Sequence, residues 1–131
     1  MSWEGSDRRK FPRVIYPCVV KVVSSDGMAQ ESLLTHTENI GLGGLCITLR
    51  GQIKLFTSVE MELDLVDLEG NIKPKGKVVW SVRRKDSENN KPMFYDTGIE
   101  FTDISKRDHE RLRENLRRLI DQGVQVLKPF I

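Results

Sequence analysis

The chain of 131 residues carries 21 lysines and arginines against 19 aspartates and glutamates, a net charge of +2. At 38% hydrophobic and 31% charged it has the make-up of one globular domain around one core. No apolar run approaches the roughly 20 consecutive residues that a bilayer span needs, and Cys18 and Cys46 are too few for a disulfide scaffold. The near-neutral balance also argues against a binder of nucleic acid polymers, whose surfaces are strongly basic. MSWEGSDRRK has no apolar run behind its charges, so no secretory signal is read and the cytoplasm is the expected compartment.

Residues 1–7 read as a flexible leader. It runs into Arg8-Arg9-Lys10-Phe11-Pro12-Arg13, four cations opposed only by Glu4 and Asp7. Pro12 biases Phe11 toward extended backbone and keeps the segment out of a helix. Val20 and Val22 flank Lys21 in a first strand pattern. Val59, Met61, Leu63 and Leu65 alternate with Glu60, Glu62 and Asp64, the mark of a strand with one wet face. Val78, Trp80 and Val82 repeat at the same period, which places Trp80 in the core. Ile99 and Phe101 flank Glu100 in the last run. Turn signals at 25–27, 41–44, 69–71 and 88–90 separate these runs. About six short strands predict a mainly β fold, a six-stranded antiparallel barrel, closed because closure removes exposed edges.

After Phe101 the period changes. Leu112, Leu116, Leu119 and Ile120 form an apolar stripe at helical spacing, predicting one C-terminal helix over 106–122 with its arginines in water. Ser105 and Asp108 resemble a capping box, and Gly123 is the stop. Residues 8–122 are thus the expected domain. The tail 123–131 either packs back on the barrel or meets a partner.

No catalytic constellation is visible. His36 and His109 have no motif around them, and Cys18 and Cys46 sit among aliphatic residues as small buried hydrophobes. No Walker loop, GxSxG or HExxH occurs. Neither an enzyme, nor a cofactor, nor a metal site is expected. Two stretches remain. On an extended chain Arg9 and Arg13 share one face, about 13 Å apart at roughly 3.3 Å per residue. Each guanidinium can bond an oxyanion bidentately or stack on a ring. In Asn39-Ile40-Gly41-Leu42-Gly43-Gly44, the glycines admit positive φ angles and close backbone approach. Asn39 offers both an acceptor and a donor. Taken singly, each stretch is equally compatible with a solvated basic leader or an empty β-turn.

In this order and spacing, the two stretches resemble the motifs of the PilZ domain family, bacterial receptors for cyclic di-GMP. Arg9 and Arg13 match the family's RxxxR, and Asn39 and Gly44 match its (Asp/Asn)-x-Ser-x-x-Gly, whose serine is Gly41 here. The segment Thr97–Phe101 and the helix are similar to the family's closing strand and C-terminal helix. The resemblance implies a ligand site of Arg8, Arg9, Arg13, Asn39, Gly41, Gly43 and Gly44. Arg8 would add a contact to a second, stacked ligand molecule. It also offers a second reading of Trp80, as a ring set against a guanine at the barrel mouth. The arginine segment would fold over cyclic di-GMP and clamp it. With only seven residues before Arg8, no effector domain is expected there, so the output passes to a partner protein or through a homodimer whose geometry shifts. The alternative is a degenerate PilZ-like domain that binds no nucleotide and serves as an interaction module. Gly41 favours that alternative, and the retained Arg9, Arg13 and Asn39 oppose it.

Overall fold

Apolar side chains at every second position bury one face of a strand and leave the other wet, and most of this chain is written that way. A computed structural model describes residues 12–24, 32–65, 67, 69–84 and 94–127. The strands are β1 (Arg13–Val14), β2 (Val19–Ser24), β3 (Ser32–Ile40), β4 (Gly44–Leu49), β5 (Ser58–Leu63), β6 (Lys75–Arg83) and β7 (Tyr95–Asp103). Helix α1 (Lys106–Asp121) and a two-residue β8 (Val126–Leu127) follow. All pairings are antiparallel. The order β2-β5-β6-β7-β4-β3 closes on itself through β2 and β3, giving the expected six-stranded barrel. β1 and β8 extend it beyond the end of β3, where Val14 pairs with Ile40.

The core is fully buried aliphatic packing. Val20, Val22, Ile47, Leu63, Val78 and Ile99 point inward from five strands. Leu112, Leu116 and Leu119 close it from the helix. Thr37 is a buried polar residue beside this packing. Its hydroxyl donates to the Tyr16 carbonyl at 2.7 Å and accepts from the Cys18 amide at 2.9 Å, which ties the segment between β1 and β2 to β3.

α1 begins where Ser105 caps it, its hydroxyl accepting from the Asp108 amide at 3.1 Å. The box is not reciprocal: the Asp108 carboxylate instead accepts from the Lys73 amide at 3.2 Å. The helix ends at Gly123, which takes φ +88° and turns the chain back toward β1. No described helix is long and apolar enough to cross a membrane.

The expectation that the helical arginines stand in water fails for Arg111, whose side chain is 10% exposed. It donates at 2.6 Å to both the Asp67 carboxylate and the Gly70 carbonyl. Buried Asn115 donates to the other Asp67 oxygen at 3.0 Å and accepts from Arg118. Burial acts to raise the Asp67 carboxyl, but bonds from Asn115, the Glu69 amide and Arg111 outweigh it and hold it below its ordinary range. The helix is thus latched to the loop after β5. At its far end Leu116 and Ile120 share a groove of about 360 Å³ with Leu42 and Pro12.

Candidate functional site

Two irregularities in the sheet build the site. The β3–β4 register shifts between Thr37 and Asn39, making Glu38 an extra residue; the β6–β7 register shifts between Val78 and Trp80, making Val79 one. Each bulge reverses which face the next side chain takes. Thr37 and Val78 therefore point into the core while Asn39 and Trp80 point out. Across the outer face they end one transverse row, Asn39–Cys46–Gly98–Trp80, in which each residue is the register partner of the next.

Trp80 is accordingly a correction to the core expectation. It is 38% exposed, and Val82 after it is 58% exposed. Its indole occupies the space a side chain on Gly98 would need, since a β-carbon there would stand 2.2 Å from two ring atoms. The ring lies on the outer wall of the barrel.

At the other end of the row stands Arg13. Its guanidinium donates to the Asn39 side-chain oxygen Oδ1 at 3.3 Å, linking the two stretches singled out in the sequence. Burial lowers the Arg13 pKa while neighbouring Cys46 raises it; the group stays cationic. The Arg13 stem packs over Gly41, and a β-carbon at 41 would stand 3.0 Å from Arg13 Cγ. Gly41 closes the hairpin, its amide donating to the Gly44 carbonyl at 2.9 Å.

The glycines serve contact, not dihedral freedom. Among described glycines the positive φ angles fall at Gly70 and Gly123, outside the 41–44 turn. A β-carbon on Gly44 would stand 2.2 Å from the Ile99 carbonyl oxygen, so β4 and β7 approach closely because position 44 has none. Gly43 contributes its carbonyl, which accepts from the Phe101 amide at 2.9 Å. Arg8 and Arg9, expected at the site, lie outside the described residues.

Cys46 and its neighbours were not singled out as site residues. Cys46 is 5% exposed yet belongs to the outer row. Burial, then Asp96 and Glu38, push its thiol up to about 11 against the pull of Arg13. Beside the row, the Thr48 hydroxyl lies 2.9 Å from Glu38 and 3.0 Å from Asp96, and Arg84 faces both carboxylates at 3.6 and 3.4 Å. Sequence alternation marks these residues only as outward-facing; their adjacency comes from pairing across 10 to 48 residues.

The site therefore joins a guanidinium, an amide with both donor and acceptor character, a tight backbone turn and an exposed indole face. Such a surface suits a planar heterocycle carrying an anionic group. Among the described residues no cluster of histidine, cysteine or carboxylate side chains suits a metal ion.

The chain matches the family model described as PilZ domain over residues 7–122. No curated protein matches it. Among solved structures it is similar to the inhibitor of motility MotI/DgrA of Bacillus subtilis, at 21% identity and TM-score 0.69 over 88% of this chain and 52% of that one. It is similar to the PilZ domain of Escherichia coli YcgR, solved with c-di-GMP, at 15% identity and TM-score 0.65 over 88% and 94%. K. pneumonia MrkH, solved as its c-di-GMP complex, gives 16% identity and TM-score 0.67 over 88% and 54%. The chain spans about half the length of MotI and of MrkH. With the family motifs, the closed barrel and the match over residues 7–122 in agreement, the chain belongs to the PilZ domain family.

Proposed function

We propose that this protein is a cyclic di-GMP receptor that carries the signal to a partner protein. The observation that carries the reading is the bond from Arg13 to Asn39 on the outer face of the barrel. It joins one half of each family motif at one place. In this reading the Arg13 guanidinium binds a phosphate of the ligand, Asn39 meets a guanine edge, and Gly41, Gly43 and Gly44 let the backbone come close. Trp80 stacks a guanine from the far end of the row. Arg9 supplies the second cation and Arg8 a contact to a second ligand molecule. Ordering the arginine segment over the ligand creates the surface a partner, or a second copy of the chain, recognises. The protein acts in the cytoplasm, by binding and not by catalysis.

The test is calorimetric titration with cyclic di-GMP beside an Arg13→Ala control. Micromolar or tighter binding that vanishes in the variant is expected. A folded protein that gives no heat in either form would overturn the reading.

Gly41 supports a second reading, a domain that no longer binds nucleotide and works as an interaction module. Position 41 offers a backbone amide where the motif has a hydroxyl, and that amide is already engaged with Gly44. The same titration separates the two.

A further inference from the structure

The strand that carries Arg13 is two residues long and is paired on both sides. On one side it meets β3 through the pair Val14 and Ile40. On its other side both residues are paired with the tail: Arg13 with Leu127 and Val14 with Val126. The ladder continues one step further, the Ile15 amide donating to the Gln125 carbonyl at 2.9 Å. The tail is itself anchored. The Val124 amide donates to the Leu119 carbonyl at 3.0 Å, Gly123 makes the turn, and Val124 and Val126 pack against the core. A continuous path thus runs from the end of α1 through β8 to the backbone of Arg13.

We propose that Leu127 and its strand are positioning elements of the ligand site. β8 fixes the backbone from which Arg13 reaches Asn39, and ligand binding at Arg13 in turn tightens the tail. Such coupling is reciprocal, since whatever stabilises one side of a shared ladder stabilises the other. The inference rests on the receptor reading for its ligand, but the link between tail and arginine stands on the pairing itself. It differs from an inert tail in one respect: a change at Leu127, outside the turn and the outer row, alters binding at Arg13.

The experiment uses the full chain with Leu127→Pro, which removes a backbone donor and restricts φ in β8. Leu127→Val is the conservative control, and Leu127→Gly is a milder second variant in case the proline form fails to fold. Cyclic di-GMP affinity is expected to fall about tenfold in the proline variant, on the scale of one charge-assisted contact, and to be kept in the valine variant. The NMR signal of the Arg13 side-chain N–H is expected to move in the proline variant without any ligand. Wild-type affinity together with an unmoved Arg13 signal would overturn the proposal. Absence of cyclic di-GMP binding in the wild type would sink the receptor reading alone, and the Arg13 signal would then decide the coupling by itself.

Discussion

The stem of Arg13 crosses Gly41 so closely that a β-carbon at position 41 would stand 3.0 Å from the arginine's Cγ. The place where this chain departs from the family motif is thus also where its best-placed cation lies. Two effects compete in Gly41→Ser. The hydroxyl adds a hydrogen bond worth about 0.5–1.5 kcal/mol, while the β-carbon asks Arg13 to shift by a few tenths of an ångström. The crowded atom belongs to a flexible side chain, so the shift is cheap and the bond decides the sign. Gly41→Ser is expected to tighten cyclic di-GMP binding by about 2- to 13-fold, read by titration. Weaker binding would show instead that the stem cannot yield and that Arg13 depends on glycine at 41.

Gly44 offers the opposite case. A β-carbon there would meet the Ile99 carbonyl oxygen at 2.2 Å, and backbone in the middle of a sheet cannot step aside. Gly44→Ala is expected to lose about 1–3 kcal/mol by overpacking, seen as a lower melting temperature with or without ligand. Unchanged melting would mean that β4 and β7 separate without penalty.

The barrel was legible because alternation is a local property: Val59, Met61, Leu63 and Leu65 declare their face without reference to any other strand. The helical stripe was legible for the same reason. The outward turn of Trp80 is not legible in the sequence, because a bulge is a disagreement between two strands. Nothing in Val78-Val79-Trp80 says that Val79 has no opposite number on β7. The bulge at Glu38 is hidden in the same way, and Asn39 was found only through its motif. Nothing local in the helix marks Arg111 as buried, because its partner Asp67 lies 44 residues away. The tail's place is not legible in the sequence, since nothing in Val126 or Leu127 names β1.

The Asp67 latch gives a pH dependence with a definite sign. Its carboxyl is held below the ordinary value of 3.8 in the folded chain, so the folded state binds protons there less readily than the unfolded one. The contribution is full above that ordinary value and declines as pH falls through it and then through the lower folded value. Arg111→Ala leaves Asp67 and the Gly70 carbonyl short of a donor. At pH 7 it is expected to cost about 1–3 kcal/mol, measured by urea unfolding. The gap between variant and wild type should shrink in acid below that window; a gap that widens there would contradict the assignment.

Cys46 reports on the site without any ligand. With its thiol pushed up to about 11 from 9.0, the thiolate fraction near neutral pH is about 100-fold below that of an ordinary cysteine. Alkylation by iodoacetamide at pH 8 is expected to be slower than for a free thiol, through the smaller thiolate fraction and the burial of Cys46, and slower again with cyclic di-GMP bound over the row. Rapid modification of native protein at Cys46, located by mass spectrometry, would show that the row is open to solvent.

Trp80 is the most direct probe of what the outer row binds. Its indole lies against Gly98 and is 38% exposed, so part of it is open to a planar ring. Base–aromatic stacking is worth about 1–3 kcal/mol per base, so Trp80→Ala is expected to weaken cyclic di-GMP binding by about 5- to 150-fold while leaving the melting temperature within a few degrees. Trp80 fluorescence should change on titration with cyclic di-GMP, and Gly98→Ala, which drives a β-carbon into the ring, should weaken binding in the same direction. Binding that survives both substitutions at full strength would confine the ligand to the Arg13 and Asn39 end of the row.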